Sequence, residues 1–337
     1  MLLLLVLHSL VAAAAAMAEV LVVGSINVDL SVYTSRLPLK GETITGKSFK
    51  VGNGGKGANQ AVMASKMGVN TSMVAKVGQD SFGKDYLTNL KETGLDCTYI
   101  ATTDMAPTGI AQICVDDEGG NTIVIVPGAN HLLSPADLTD GVATAVASCK
   151  VLLCQLEVKQ EVTLEALKLA KASPSKVFTI LNPAPAPPSG LLDGMLCLAD
   201  MVCPNETELE LLTGTQGSSA TLEGVEAAAR TLLEAGAGCV VVTLGERGCL
   251  MVDSQDSPAV HVPAEAVTPV DTVGAGDCWL GALASHIARG TPLKDALTKA
   301  SAVAAMSVQG AGAQESYPSV MELPPTLRIP SRSTVSG

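Results

Sequence analysis

The fold class follows from one stretch of the chain, which begins with Val151-Leu-Leu-Cys-Gln-Leu-Glu157 and ends with Val177-Phe-Thr-Ile-Leu181. Both ends are short apolar runs typical of buried strands, and residues 160–172 between them are predicted to form a helix. Strand and helix go on alternating to about residue 308, which predicts a mostly parallel central sheet flanked by helices. We therefore expect an α/β fold.

The segment before residue 150 follows a different pattern. Residues 43–51 alternate between polar and apolar, and the runs 108–115 and 122–126 flank the turn sequence Asp116-Asp-Glu-Gly-Gly-Asn121. Alternation predicts strands with one wet face, and the turn predicts a hairpin. Such strands do not suit a parallel sheet buried on both faces, so we assign them to a small β-sheet lid over a substrate, within about residues 30–53 and 98–127.

Residues 18–322 are predicted to form one domain that includes the lid, and residues 323–337, rich in Pro, Ser and Arg, a flexible tail. Residues 1–17 form an apolar extension that resembles the core of a secretory signal but lacks the basic region before it. The extension is too short and too rich in Ala for a membrane span. A translation start at Met17 and a signal peptide are both left open.

Composition excludes several classes of partner. The net charge is −12 and the chain has no block of Lys and Arg, so we expect no nucleic-acid partner. Its nine cysteines are scattered without a Cys-x-x-Cys pair. We interpret them as buried core residues in a reducing compartment, which predicts a cytoplasmic location and no zinc site. A nuclear location in addition is left open, and we expect no membrane partner.

A glycine-rich turn, Asp271-Thr-Val-Gly-Ala-Gly-Asp277, leads directly into the helical stretch 278–287. Its glycines allow a tight turn whose N–H groups point one way, and the helix N-terminus adds about half a positive charge. The turn therefore predicts an anion-binding cradle that contains a carboxylate, Asp277. That pairing suits a general base in phosphoryl transfer to an alcohol; the alternative is that Asp277 only caps the helix.

Further polar residues follow predicted strands. Asn27 and Asp29 lie two apart and so share one face, where they can bind neighbouring hydroxyl groups; an Asx turn is the alternative. Glu157 ends a buried strand, and Asn205 and Glu208 follow another. Because α/β proteins build their sites at the carboxyl ends of parallel strands, we expect these residues to converge.

Two phosphate-binding patterns occur upstream. Gly41-Glu-Thr-Ile-Thr-Gly-Lys-Ser48 matches the P-loop pattern, but no buried strand precedes it and no helix follows, so we expect no P-loop. Gly52-Asn-Gly-Gly-Lys-Gly57 matches G-x-G-x-x-G, with Asp80 downstream as a ribose-binding acid, which keeps a NAD-dependent dehydrogenase as an alternative. A sugar- or nucleotide-binding protein without catalysis is a further alternative.

Two signatures together carry a family resemblance: Gly54-Gly-Lys-Gly-Ala-Asn-Gln60 and Asp271-Thr-Val-Gly-Ala-Gly-Asp277. With them, residues 19–318 resemble the PfkB-type carbohydrate kinases. The resemblance implies that family's fold, a homodimer formed through the lid, and transfer of the γ-phosphoryl group of ATP to the 5-hydroxyl of D-ribose. The Gly-Gly-Lys-Gly-Ala-Asn form is typical of members that act on ribose, while another sugar or nucleoside, such as deoxyribose, stays open.

The resemblance also implies a role for individual residues. Asp277 would be the general base, and the anion hole would be formed by Gly274, Ala275 and Gly276. The sugar would be bound by Asn27, Asp29, Gly55, Lys56, Gly57, Asn59, Glu157 and Asp277. ATP would be bound by Asn205, Thr243, Leu244, Gly245, Glu246, Arg247, Gly248, Gly276, Asp277 and Ser301. Glu208 would hold Mg²⁺ through water, and K⁺ would be bound by Asp271, Val273, Ser307, Gly310, Gly312 and Ser316.

Overall fold

The computed structural model describes residues 17–329, and this part of the chain contains two β-sheets. Its strands are β1 (Val20–Val23), β2 (Asn27–Tyr33), β3 (Ser48–Gly54), β4 (Thr71–Gly78), β5 (Ile100–Thr103), β6 (Gly109–Val115), β7 (Asn121–Val126), β8 (Val151–Cys154), β9 (Phe178–Leu181), β10 (Met201–Val202), β11 (Val240–Thr243), β12 (Cys249–Val252) and β13 (Val260–Val262). Its α-helices are α1 (Lys56–Lys66), α2 (Ser81–Glu92), α3 (Gly141–Ser148), α4 (Gln160–Lys171), α5 (Glu206–Thr213), α6 (Leu222–Glu234), α7 (Ala275–Ala288) and α8 (Leu293–Ser307).

The large sheet has the strand order β13-β12-β11-β10-β9-β8-β1-β4-β5. Strands β11 to β5 in this order pair in parallel, whereas β12 and β13 pair antiparallel with their neighbours. The prediction of a mostly parallel central sheet flanked by helices is therefore confirmed. The antiparallel edge of β12 and β13 is an addition that the sequence pattern did not predict.

Strand β1 shows how the sheet is buried. All four of its residues are inaccessible to solvent; Val20 and Val22 pack into one apolar cluster, and Leu21 and Val23 pack into another. Because successive side chains point to opposite faces of a strand, the sheet carries a separate core on each face. Helices α1, α7 and α8 contribute to the first core, and α4 and α6 contribute to the second.

The small sheet has the order β3-β2-β6-β7 and corresponds to the predicted lid. Strand β2 pairs antiparallel with β3 and parallel with β6, and β6 and β7 form a hairpin as predicted. Strand β5 falls within the predicted lid range but pairs with β4, so it belongs to the large sheet. Only residues 24–26 separate β1 from β2, and the small sheet therefore continues directly from an interior strand of the large one.

Both predicted terminal segments are described only in part. Residues 1–16 of the predicted extension and residues 330–337 of the predicted tail lie outside the described residues. At the start of the predicted tail, Leu323 and Ile329 are buried against the first core, so residues 323–329 pack on the domain. Within residues 17–329, no helix has the length and apolarity needed to cross a bilayer.

Glu19 lies at the amino-terminal edge of the large sheet and is only 1% exposed. Its carboxylate accepts hydrogen bonds from Lys150 Nζ at 3.0 Å and from Arg289 Nη2 at 2.8 Å. Burial alone would raise the pKa of Glu19, but the hydrogen bonds from Lys150 and Arg289 outweigh it and lower the pKa. The carboxylate thereby ties the start of β1 to the start of β8 and to the end of α7.

Helices α1 and α7 pack closely at one glycine. A Cβ atom on Gly281 of α7 would lie 2.5 Å from the Gln60 carbonyl oxygen and 2.7 Å from Met63 Cβ, both in α1. Asp277 lies one helical turn before Gly281 and accepts a hydrogen bond from the Gln60 side chain at 2.8 Å. The close packing of the two helices therefore sets the distance between these two polar residues.

Gly281→Ala is expected to lower the free energy of unfolding by about 1–3 kcal/mol, the usual cost of overpacking a core. Alanine favours a helix over glycine by about 1 kcal/mol, so a net loss means that crowding against α1 dominates. Urea denaturation measures this loss. The matched control is Gly141→Ala in α3, whose new Cβ would lie 3.7 Å from Tyr99 Cε1, an ordinary contact. If the two variants had equal stability changes, the close packing would not be the cause.

Candidate active site

The candidate site lies at the carboxyl edge of the parallel strands. Glu157 and Asn182 come after β8 and β9, Asn205 comes after β10, and Thr243 ends β11. A cavity of 190 Å³ opens at this edge, and its polar lining includes Lys56, Asn182, Asn205, Glu208, Thr243 and Asp277. Residues that are far apart in sequence thus share one sheet edge because the strands run in parallel.

The turn before α7 presents a helix N-terminus to this cavity. Gly274 is the N-cap residue, and its φ of 75° is a left-handed conformation that favours glycine. Its carbonyl oxygen accepts hydrogen bonds from Cys278 N–H and from the Tyr317 hydroxyl, both at 2.8 Å. The peptide group between Gly274 and Ala275 is therefore held from outside the helix as well as from within it.

Three N–H groups begin α7. That of Ala275 donates to the Thr272 carbonyl at 3.2 Å, whereas those of Gly276 and Asp277 donate to no acceptor within residues 17–329. These two groups and the helix dipole are available to an anion in the cavity. The alternative interpretation of Asp277 as a helix cap is wrong, because Gly274 is the N-cap and no side chain caps the helix.

Two side-chain amides bind the Asp277 carboxylate, which is 8% exposed. Its Oδ2 accepts from Asn59 Nδ2 at 3.0 Å, and its Oδ1 accepts from Gln60 Nε2 at 2.8 Å. The Asn59 oxygen in turn accepts from Gln314 Nε2 at 2.9 Å. Asn59 is among the site residues predicted from the sequence, whereas Gln60 and Gln314 are not; the position of Gln60 beside Asn59 at a helix start is the signal that could identify it.

Asn27 and Glu157 contact each other directly. Glu157 Oε2 accepts from Asn27 Nδ2 at 3.3 Å, from Lys56 N–H at 2.9 Å and from Ser25 Oγ at 2.5 Å. Asn27 Oδ1 accepts from Asn130 Nδ2 at 2.9 Å, so the Asn27 amide turns its NH₂ group toward Glu157. Ser25 and Asn130 are not among the predicted site residues, although Ser25 lies just after β1.

Two glycines allow the start of α1 to lie directly against the segment that leads from β1 into β2. A Cβ atom on Gly55, which has a φ of 90°, would lie 2.6 Å from Asn27 N, and one on Gly57 would lie 2.5 Å from Ser25 N. Any larger side chain would push the start of the helix away from this segment. The two glycines thereby keep Lys56 close to Glu157.

Asp29 faces the same loop, and a side chain on Gly54 would overlap its carboxylate. Burial raises the pKa of Asp29 to about 7, and the negative charges of Glu157, Glu315 and Asp277 add to this effect. Near neutral pH this group is therefore partly protonated. It is able to accept hydrogen bonds from hydroxyl groups, or to donate one to them.

Lys56 supplies a positive charge to a cavity that is otherwise acidic. Burial alone would lower the pKa of Lys56, but the nearby carboxylates of Asp277, Glu157 and Glu208 outweigh it and raise the pKa. Burial also raises the pKa of Glu208, and the charge of Asp277 acts in the same direction. Lys56 is thus a charged group placed among carboxylates, which suits a polyanionic ligand.

Asn205 and Glu208 form a capping box at the start of α5. Asn205 Oδ1 accepts from Glu208 N–H at 2.8 Å, and Glu208 Oε2 accepts from Asn205 N–H at 2.9 Å. Asn205 Nδ2 and Glu208 Oε1 are left for the cavity that both residues line. Within residues 17–329, no group of three or more His, Cys, Asp or Glu side chains is arranged to hold a metal.

The residues predicted to bind ATP lie at different depths. Thr243 lines the cavity, and residues 245–247 form a short 3₁₀ turn after it. Arg247 donates to the Ser219 carbonyl at 2.7 Å and pairs with Glu206, so its guanidinium is engaged at the surface of the domain.

Ser301 and Leu244 lie within the packed interior. Leu244 is 2% exposed, and Ser301 is 8% exposed. Ser301 Oγ accepts a hydrogen bond from Trp279 Nε1 at 3.1 Å. Its hydroxyl is therefore part of the contact between α7 and α8, and Ser301 does not line the cavity described above.

Two loops meet beside Gly274. The carboxylate of Asp271 accepts from Val273 N–H at 3.0 Å and from Gly312 N–H at 2.8 Å. The Val308 carbonyl accepts from Asp271 N–H at 3.2 Å. The residues predicted to bind K⁺ thus come from two segments in contact, and they are Asp271, Val273, Ser307, Gly310, Gly312 and Ser316.

Residues 17–320 match the family model described as pfkB family carbohydrate kinase. The chain therefore belongs to this family, and the resemblance found in the sequence is confirmed. The match spans both sheets and every candidate site residue.

Individual relatives agree with the family assignment. The chain is 45% identical to ribokinase of Mus musculus over 312 residues, which cover 92% of this chain and 95% of the relative. It is 41% identical to deoxyribokinase of Salmonella typhi, covering 90% of this chain and 96% of the relative. Among solved structures, Arabidopsis thaliana ribokinase complexed with ribose and ATP matches with a TM-score of 0.85 and 32% identity, covering 92% of this chain and 99% of that one.

The upstream phosphate-binding motifs have a different structural context. Residues 41–48 form a mostly exposed loop without a helix, as expected. Residues 52–54 end strand β3, which pairs with β2 in the small sheet. A dinucleotide-binding turn has to follow a strand of the parallel sheet, so the dehydrogenase alternative is wrong.

Asp29→Asn is expected to stabilise the protein more at about pH 8 than at about pH 5. The folded state raises the pKa of Asp29 from 3.8 to about 7, so folding takes up a proton between these values and the wild type loses stability as pH rises through that range. Asparagine does not titrate and escapes this loss. Urea denaturation of both proteins across the range measures the difference, and a difference that is independent of pH would contradict the raised pKa.

Proposed function

We propose that the protein is an ATP-dependent kinase that phosphorylates the 5-hydroxyl of D-ribose, giving ribose 5-phosphate and ADP. The observation that carries the proposal is the buried Asp277 carboxylate, which lies in one cavity with Lys56 and the start of α7. The 45% identity to a ribokinase and the match to a structure holding ribose and ATP support it.

In this mechanism Asp277 accepts the proton of the 5-hydroxyl while the hydroxyl oxygen attacks the γ-phosphorus of ATP. The bond from that phosphorus to the bridging oxygen breaks, and ADP leaves. At the anion hole predicted from Gly274, Ala275 and Gly276, the N–H groups of Gly276 and the adjacent Asp277 are the ones available to stabilise the transferring group, with the dipole of α7 behind them. Lys56 balances the charge of the phosphates.

The sugar is proposed to bind between the loop before α1 and the small sheet. The ligands are those predicted from the family: Asn27, Asp29, Gly55, Lys56, Gly57, Asn59 and Glu157. Asn130 supports the assignment of Asn27, since it occupies the Asn27 oxygen and leaves the NH₂ group as a donor. The small sheet would act as the lid that excludes water, which competes with the sugar as acceptor.

Mg²⁺ is proposed to bind near Asn205 and Glu208. Their capping box leaves one amide and one carboxylate oxygen for the cavity, and such a sparse set suits an ion that keeps several of its waters. When bound, Mg²⁺ neutralises charge on the β- and γ-phosphates. Glu208 would orient the waters around the ion, as the sequence predicted.

K⁺ is proposed to bind between the loop of Asp271 and the loop of residues 307–316. The Asp271 carboxylate bridges the two loops, and Tyr317 connects the second loop to the Gly274 carbonyl at 2.8 Å. Carboxylate and carbonyl oxygens are the donors that a hard monovalent cation prefers. A cation at this place would fix the peptide groups of the anion hole without touching the sugar.

A homodimer through the small sheet is proposed as well. Strand β7 is exposed along its whole length, and Ile123, Val124, Ile125 and Val126 are 45–63% exposed. Phe49 on β3 adds a further exposed apolar side chain. An edge strand with this composition is normally covered by a partner.

A reducing, cytoplasmic or nuclear compartment also fits the cysteines. All nine are free thiols, and six of them are buried. Burial raises the pKa of Cys149 and Cys239 to about 12, which keeps these thiols protonated and unreactive.

Deoxyribose is the second candidate acceptor, and the 41% identity to a deoxyribokinase favours it. The two sugars differ by one hydroxyl group. A site that binds this hydroxyl through a buried polar group rejects the sugar that lacks it.

Asp277→Asn should lower kcat on ribose by about 10²–10⁴-fold, the usual contribution of a positioned general base. The KM for ribose should change little, because asparagine keeps the shape of the side chain. ADP release is measured with ATP, Mg²⁺ and K⁺ against D-ribose, deoxyribose, fructose, adenosine and no sugar. Near-normal turnover of the variant would exclude Asp277 as the base, and turnover on a different acceptor alone would overturn the sugar assignment.

Replacing K⁺ by Na⁺ at the same ionic strength should lower turnover, because Na⁺ is smaller and does not satisfy the same oxygen donors. Asp271→Asn should remove most of this difference by weakening the cation site that bridges the two loops. Steady-state rates of both proteins in the two salts provide the measurement. Equal wild-type rates in Na⁺ and K⁺ would refute the K⁺ site.

A further inference from the structure

The general base has neighbours that have so far been given no role. Gln60 Nε2 donates to Asp277 Oδ1 at 2.8 Å, while Asn59 Nδ2 donates to Oδ2 at 3.0 Å. Each carboxylate oxygen therefore receives one amide hydrogen and keeps one lone pair for a further partner. Together the two contacts define the plane of the carboxylate.

The orientation of the Gln60 amide is fixed by two more buried amides. Gln155 Nε2 donates to Gln60 Oε1, so the NH₂ group of Gln60 has to point the other way, toward Asp277. Its remaining hydrogen goes to Asn182 Oδ1 at 3.2 Å. The Asn182 amide cannot flip, because its Nδ2 donates to the Cys203 carbonyl at 2.8 Å. Every hydrogen on Gln60 Nε2 is thus assigned.

These amides come from rigid elements of the fold. Gln155 directly follows β8, Asn182 directly follows β9, and Gln60 lies in the first turns of α1. Gln60 and Gln155 are inaccessible to solvent, and Asn182 is 6% exposed. The hydrogen-bonded amides therefore connect the ends of strands β8 and β9 to the Asp277 carboxylate through buried side chains.

Stability alone does not account for this chain of amides. Within residues 17–329, Gln155 Oε1 is buried without a hydrogen-bond partner, which is unfavourable for folding. A half-satisfied polar network is less stable than an apolar core of the same shape. The contact at the other end of the chain, from Gln60 Nε2 to Asp277 Oδ1, is the one that bears on the proposed function.

We propose that Gln60 is a positioning residue that holds the Asp277 carboxylate in the orientation needed to receive the proton of the acceptor hydroxyl. Gln155 and Asn182 act only through Gln60, by fixing the direction of its NH₂ group. The proposal rests on the proposed role of Asp277 as general base. The start of α7 places Asp277 in the cavity. We infer that the hydrogen bond from Gln60, which is itself fixed by residues at the end of the central sheet, is also needed to orient the carboxylate.

Gln60→Met keeps the length of the side chain and removes the donor. It is expected to lower kcat on the order of 10- to 100-fold, which is the effect of misplacing a reacting group by a fraction of an ångström to an ångström. The KM values for ribose and ATP should stay within about two-fold, because Gln60 is not proposed to contact either substrate. A general loss of structure would instead change KM and the thermal midpoint together.

A double-mutant cycle tests whether Gln60 acts through the base. In the Asp277→Asn background, Gln60→Met should cause no further loss of kcat, because the group that it positions is already absent. In the Gln60→Met background, Gln155→Met should likewise cause no further loss of kcat. An additive loss in either cycle would overturn the proposal.

Gln60→Glu is a second variant, which retains an acceptor for Gln155 and, while it is protonated, an O–H donor in place of the amide. Its carboxyl group would face Asp277, so kcat should fall further as pH rises and the new group ionises, which a merely structural role would not produce. The control for lost buried hydrogen bonds is Thr179→Val in β9, whose hydroxyl donates to the Leu198 carbonyl at 2.8 Å, away from the cavity. Its kcat should equal that of the wild type.

The outcomes separate this inference from the proposed function. If Asp277→Asn retains turnover, the assignment of the base is wrong and the positioning role falls with it. If Asp277→Asn is inactive while Gln60→Met has normal kcat, only the positioning role is wrong.

Discussion

The burial of one carboxylate is the constraint on which the rest of the site depends. Asp277 is 8% exposed, and a charge taken out of water to this extent needs donors around it. Two amides from α1 donate hydrogen bonds to it, and the charge of Lys56 lies nearby. The glycines of the loop before α1 and the close packing of α1 on α7 are then explained, since they bring these donors together.

The site residues that could be predicted are those that belong to a recognisable local sequence pattern. Glycine-rich turns and polar residues at strand ends are such patterns, and they identified Lys56, Glu157 and Asp277. Asn130 and Gln314 belong to none, because their roles depend on contacts between distant segments. The hydrogen bond from Gln314 to Asn59, for example, spans 255 residues. An amide that orients another amide is visible only when both are in place.

Most strands of the large sheet were predicted from the sequence, but its edge strands were not. The parallel strands are continuous apolar runs because helices cover both faces, and this composition identifies them directly. Strands β5 and β13 are short, and they are partly exposed at or near the two edges of the large sheet, so their residues carry no such signal. Strand β12 is fully buried, but it is only four residues long and follows a glycine turn whose residues are predicted to bind ATP.

The position of Glu19 has a practical consequence. In a parallel sheet the two edges are chemically distinct, and Glu19 lies at the amino edge, opposite the edge that carries Glu157, Asn205 and Thr243. Its contacts with Lys150 and Arg289 anchor the entry of the chain there. A purification tag joined directly to Met17, in a variant that starts there, would therefore leave the domain on the side away from the cavity. Surface immobilisation of that variant through its tag should accordingly keep the substrate entrance open to solution.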